Sequence, residues 1–241
     1  MLNRTYSQTS SATAINEGLR QYMIKVYNFM AAGLCLTALS AYLVANTPLL
    51  RLFFTLTPEG GLALSGFGWL MFIAPLIMVL AFGWIINRGT AAQVQTYFWG
   101  YAAVMGISLT PLVLAYTGAS LARVFLITAG TFGAMSIYGY TTKKDLSAFG
   151  SFLMMGLFGI IIAMIVNIFM QSPGVDYAVS ILAIGIFIGL TAYDTQRIRN
   201  MYMDGDTSEI ATKKAVAGAL SLYLDFINMF IYLLRFMGDR R

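Results

Sequence analysis

Seven long apolar runs dominate this chain and leave few architectures open to it. A helix rising ~1.5 Å per residue needs ~20 mainly apolar residues to cross a bilayer. The runs fall at about 26–45, 66–86, 94–116, 120–140, 148–170, 176–200 and 215–237. They are too long and too evenly apolar for barrel strands, which alternate over ~10 residues. The reading is an all-α polytopic membrane protein with seven transmembrane helices. One domain would cover 21–241, preceded by a polar, Ser- and Thr-rich segment at 1–20 expected to be a mobile tail. That segment has no apolar h-region, so a cleaved signal peptide is not expected. Pro111 should kink the third span near its end. Only 10% of the 241 residues are charged, against ~25% in a soluble domain, which leaves little sequence for a separate water-soluble unit.

The residue inventory removes whole classes of chemistry. Cys35 is the single cysteine and histidine is absent. Intrachain disulfides, Cys- or His-based zinc sites and His-dependent nucleophilic pairs are therefore excluded. No tightly bound cofactor is expected. The net charge of +5 would raise nucleic acid as a partner for a soluble protein. Here the basic residues lie mainly between spans, where they set topology instead, so no nucleic-acid partner is expected. With the N-terminus inside, the inner segments hold Arg4, Arg20, Lys25, Arg88, Lys143, Lys144, Arg197, Arg199, Lys213 and Lys214; the outer ones hold Arg51, Arg123, Arg235, Arg240 and Arg241. Ten against five favours a cytoplasmic N-terminus. The basic C-terminal stretch argues the other way and would suit an even number of spans with one re-entrant helix. Gly185 and Gly189, Gly130 and Gly133, and Gly156 and Gly159 are candidates for close helix packing.

Against this background a carboxylate inside an apolar run is costly, by ~2.5–3.5 kcal/mol on the mildest insertion scale. Two aspartates lie deep: Asp194 in the sixth span, within GLTAYDTQRIRN, and Asp225 in the seventh. Asp194 stands six residues before Asn200, ~9 Å from the helix end. One loop joins the two spans, so an antiparallel pair would bring both carboxyls to one half of the membrane. Ser221, Asp225, Asn228 and Tyr232 recur at i, i+4, i+7 and i+11 and make one polar face. Such a face is either a hydrogen-bonded network that fixes helix packing or a functional acidic site, and intramembrane ionisable groups favour the second. Two carboxylates held close cannot both ionise cheaply, so they share a proton. Ionised, they offer hard oxygen ligands of the kind calcium prefers, although calcium wants ~6–8 of them. Arg88 closes the second span at the same proposed face. It could pair with an aspartate or simply anchor the helix end. The acidic residues of 204–214 read as part of a solvated loop.

The stretches GLTAYDTQRI, ALSLYLDFINMFIYLLRF and YGYTTKKDLS resemble the signatures of the Bax inhibitor-one, or transmembrane Bax inhibitor motif, family. The resemblance covers nearly the whole chain beyond the tail and suggests a bacterial inner-membrane member. It implies seven helices with the last one central and surrounded by the other six. It also implies a pH-sensitive calcium leak. Asp194 and Asp225 would form its paired site near the cytoplasmic side, and Arg88 is the candidate for an arginine paired with it.

The leading functional expectation is therefore a non-enzymatic Ca²⁺ leak in the inner membrane, gated by protonation of Asp194 and Asp225. Its partners would be the lipid bilayer, Ca²⁺ and protons. An alternative is a non-transporting regulator that binds another membrane protein. A third is an intramembrane aspartyl protease, because Tyr193-Asp194 resembles one of its motifs and a proton shared by two aspartates is protease chemistry. The residues before Asp225, Leu222-Tyr223-Leu224, lack the glycine of its second motif.

Overall fold

The computed structural model describes the backbone of residues 2–56 and 62–241 and the side chains of residues 17–55 and 63–241. Most of the expected tail at 1–20 lies outside the residues whose side chains are described. In chain order the elements are α1 (Leu2–Asn46), α2 (Leu50–Phe53), β1 (Phe54–Leu56), β2 (Leu62–Leu64), α3 (Gly66–Arg88), α4 (Ala91–Ser108), α5 (Thr110–Ala115), α6 (Gly118–Thr141), α7 (Ser147–Met170), α8 (Pro173–Asn200) and α9 (Ser208–Met237). Among the described residues seven spans are long and apolar enough to cross a membrane: α1 from Glu17, α3, α4 with α5, α6, α7, α8 and α9. The chain is an all-α polytopic membrane protein.

Local chemistry sets the helix ends. Thr90 and Gln93 form a reciprocal capping box at the start of α4. Side chains of Ser65, Thr117, Ser172 and Thr207 cap α3, α6, α8 and α9. The third span breaks at Leu109, two residues before Pro111. Proline has no N–H to donate to the carbonyl of Ile107, so the helix ends and restarts as α5 rather than bending smoothly. The seventh span begins at Ser208, seven residues before its apolar run, so 208–214 is helix and not loop. The antiparallel pair β1–β2 was not expected. Its sequence signal is modest, a Pro- and Gly-rich stretch between two short apolar segments.

Packing sorts the spans by polarity. The two most apolar, α3 and α7, are the least buried; α9, less apolar, is the most buried, two-thirds of its span window being inside. Lipid accepts apolar side chains without penalty, whereas polar groups must find partners within the protein. The C-terminal helix is therefore central. It is not touched by all six others in equal measure: α8, α1, α6 and α4 pack on it, while α3 rests on α4 and α7 on α8. The outer helices turn residues such as Leu80, Phe158 and Phe169 outward.

The two ends of the bundle are tied by different contacts. At one end Lys25 donates to Thr212 (2.7 Å) and Lys214 pairs with Asp206 (2.6 Å). At the other the C-terminal residues bridge the α5–α6 turn: Tyr116 pairs with Arg240, and Thr117 N–H donates to the Asp239 carbonyl. The basic stretch thus sits at the end of the bundle opposite both the α8–α9 connection and Lys25 of α1. The glycine pairs fare unevenly. A side chain on Gly185, Gly130, Gly133 or Gly159 would meet open space, and only Gly189 and Gly156 face a neighbour.

Candidate functional site

The site lies on the seam between α8 and α9, and close packing against glycines of α6 and α7 holds α8 in place there. A Cβ on Gly139 of α6 would sit 2.2 Å from the carbonyl oxygen of Ala192. One on Gly150 of α7 would sit 2.4 Å from the ring of Tyr193. Two residues of the GLTAYDTQRI stretch are thereby wedged against neighbouring helices where no larger residue fits. Asp194, the next residue, is turned toward α9.

Asp194 and Asp225 are buried neighbours on this seam. Asp225 is 5% exposed and Asp194 9%. Asp225 Oδ2 is buried and finds no N–H or O–H donor among the described groups. Two carboxylate oxygens are both acceptors, so a hydrogen bond between them requires a proton on one. Two neighbouring buried carboxyls are the kind of pair that can share one proton.

A cation completes it. Arg197 Nη2 stands 3.2 Å from Asp194 Oδ1 and donates to Ser221 Oγ at 3.0 Å. Its guanidinium also lies 5.7 Å from the centre of the Tyr193 ring. Arg197 therefore links α8 to α9 beside the carboxyls, with about half of its side chain open to solvent. With the shared proton in place, the pair carries one negative charge against one positive.

The other expected residues divide. Ser221 belongs to the site through Arg197. Asn228 instead donates to the Leu224 carbonyl in its own helix (2.8 Å). Tyr232 stacks on Phe187, and its hydroxyl reaches Met164 Sδ (3.0 Å), further along α9. Arg88 does not reach the aspartates. It is exposed and lies over Trp84, 5.4 Å from the ring centre. The reason is architectural: α3 packs on α4, which keeps its C-terminal end away from the α8–α9 seam.

The arginine that the site uses was legible in principle. Arg197 follows Asp194 by three residues, a spacing that puts both on one helix face. Two further polar side chains of α8 fix the neighbouring connection. Gln196 accepts from the Leu146 N–H and donates to the Lys144 carbonyl, both at 2.8 Å. Arg199 donates to the carbonyls of Tyr140 and Thr142. Together they pin the YGYTTKKDLS connection beneath α8. Among the described residues no three Asp, Glu, His or Cys side chains gather in one cluster. Of the acids near the connection, Asp206 is taken by Lys214, and Asp204 accepts from the Tyr202 hydroxyl.

Comparison with known proteins shows the family. Residues 19–241 match the family model Bax1-I, described as inhibitor of apoptosis-promoting Bax1. The chain is 44% identical to the protein RP147 of Rickettsia prowazekii, over 99% of this chain and 98% of that one. It is 41% identical to the inner membrane protein YbhL of Escherichia coli K12, over 98% and 99% of the two chains. A protein of Caulobacter vibrioides is 40% identical over 99% and 98%. On a match that takes in all seven spans and both aspartates, the chain belongs to the Bax1-I family.

Proposed function

We propose that the protein is a pH-sensitive Ca²⁺ leak of the bacterial inner membrane and not an enzyme, with Asp194 and Asp225 as the proton-responsive gate. One observation carries the reading: two neighbouring buried carboxyls, one of whose oxygens lacks a donor, beside a half-exposed arginine. Holding one proton, the pair balances Arg197 and keeps α8 and α9 together. Losing it leaves two negative charges against one positive, and a divalent cation then restores the balance. Two carboxylates supply at most four oxygens, short of the ~6–8 that calcium favours. Water and backbone carbonyls must provide the rest, which suits brief transit better than storage. The proton and Ca²⁺ compete, so leak increases as pH rises through the titration of the pair.

The ten-to-five distribution of basic residues supports a cytoplasmic N-terminus, with the site toward the cytoplasmic half. The inner membrane is taken from YbhL, which is named for it. A proteolytic dyad would need an extended peptide beside both carboxyls, whereas helices pack around the one on Asp225. The test is Ca²⁺ flux into liposomes holding the purified protein, measured against pH for wild type, Asp194→Asn and Asp225→Asn. Flux that depends on pH in wild type and loses that dependence in both variants is expected. Identical profiles in all three would end the proposal.

A further inference from the structure

A second feature lies on the opposite side of α9. Helices α1 and α6 both pack on α9 but hardly on each other. The gap between them is a groove of about 470 Å³, closed at one end by α5. Ala38, Leu112, Leu121, Phe125, Phe226 and Phe230 line it. Its polar residue Thr37 is already engaged, donating to the Ala102 carbonyl (2.8 Å) and bonded to the Tyr223 hydroxyl (2.6 Å). The groove opens sideways beside Tyr42 and Leu126, which are 61% and 70% exposed on the membrane-facing surface. It is therefore continuous with the surface that lipid already covers. A void of this size would forfeit the dispersion contacts of its walls. Hydrocarbon chains are the occupant the bilayer supplies there in excess over any protein.

The closed end of the groove carries charge. Leu112 and Val113 line it within one turn of Ala115, whose carbonyl accepts the Arg241 N–H (2.9 Å). Arg240 lies over the Tyr116 ring at 5.8 Å, and both Arg240 and Arg241 are exposed. Arg123, one residue beyond the groove-lining Ala122, is held by Asp239 at 2.8 Å. Three arginines against one aspartate gather where a phospholipid headgroup would lie if its chain filled the groove. We propose that this groove is a binding site for an anionic phospholipid, with an acyl chain between α1 and α6 and the phosphate met by Arg240 and Arg241. The inner end of the chain rests on Phe226 and Ile227, the two residues that follow Asp225. The proposal stands apart from the leak, because its readout is bound lipid.

The test is native mass spectrometry of the delipidated full chain in detergent, with dioleoylphosphatidylglycerol or dioleoylphosphatidylcholine added at equal concentration. Each basic side chain near an anionic headgroup is worth roughly fivefold in affinity, so two give a preference on the order of tenfold or more for phosphatidylglycerol. The double change Arg240→Gln and Arg241→Gln should remove that preference. Ala38→Trp, which fills the groove, should lower retention of both lipids. Should Ala38→Trp not fold, Leu112→Trp blocks the same space from its closed end. Equal retention of the two lipids by wild type overturns the proposal, as does retention unchanged by the groove-filling variant. A dimer that the groove-filling variant abolishes would make a second copy of the chain the occupant and overturn it equally.

Discussion

Replacing Arg197 with glutamine gives the sharpest test of how the aspartate pair is controlled. Arg197 stands 3.2 Å from Asp194 Oδ1. At an effective dielectric of ~20 that separation corresponds to about 5 kcal/mol of attraction. The figure must be discounted, because the arginine side chain is 46% exposed while that of Asp194 is 13% exposed. Exposed pairs give ~0–1 kcal/mol, and breaking a buried one costs ~3–5 kcal/mol. An intermediate value of about 2 kcal/mol is appropriate here. That is roughly a 30-fold change in how firmly the pair keeps its proton, or about 1.5 pH units. The sign follows from the charge. Arg197 favours the ionised pair, so without it the carboxyls hold their proton to higher pH. In liposomes, the pH of half-maximal Ca²⁺ leak should move up by about 1.5 units in Arg197→Gln and by much less in Arg197→Lys. Arg88→Gln should leave it in place, since Arg88 lies over Trp84, away from the seam. A midpoint that stays put or moves down in Arg197→Gln would refute the reasoning. So would an equal shift in Arg88→Gln.

Two further predictions concern the frame that holds the site. Gly139→Ala places a methyl group 2.2 Å from the Ala192 carbonyl oxygen, which is backbone and cannot swing aside. It should destabilise by about 1–3 kcal/mol and lower the thermal midpoint in detergent. Gly130→Ala meets open space and should be neutral or slightly stabilising; equal midpoints for the two would contradict the packing described for α6 and α8. At the start of α7, the hydroxyl and backbone N–H of Ser147 hold the Asp145 carboxyl below the usual carboxylate range. Its support for this turn is therefore complete above the unfolded value of about 4 and fades as pH falls through the lowered one. Amide exchange at Ser147 should quicken over that acidic window in wild type and show no such step in Asp145→Asn.

Much of the frame was visible before any coordinates, and the limits of that reading have physical causes. Apolar length is a strong signal in lipid, because a spanning segment must satisfy its own backbone. Seven spans were therefore countable. Their ends were less clear: α9 starts at Ser208, since Thr207 caps a polar turn that hydropathy cannot see. The kink expected at Pro111 is a full break at Leu109, because a proline's missing donor leaves the carbonyl four residues upstream unpaired. The two aspartates stood out by their cost in an apolar setting. Arg88 and Arg197 looked alike from the sequence, both being arginines near a span end. Only the stacking of α3 on α4 shows that the first is far from the seam. Glycine spacing also misled. Gly185 looks suited to packing but faces open space, whereas the unremarked Gly139 meets backbone.

By itself the sequence determined that this chain crosses a membrane with seven helices and carries two acids where acids are expensive. Both follow from the free energy of moving side chains out of water, which depends on composition and order along the chain. The tertiary structure decided which groups are neighbours: that Asp194 and Asp225 are buried beside each other on the α8–α9 seam, that Arg197 and not Arg88 stands beside them, and that α1 and α6 leave a groove against α9. Such contacts are set by how seven helices share one core, and no single helix encodes them.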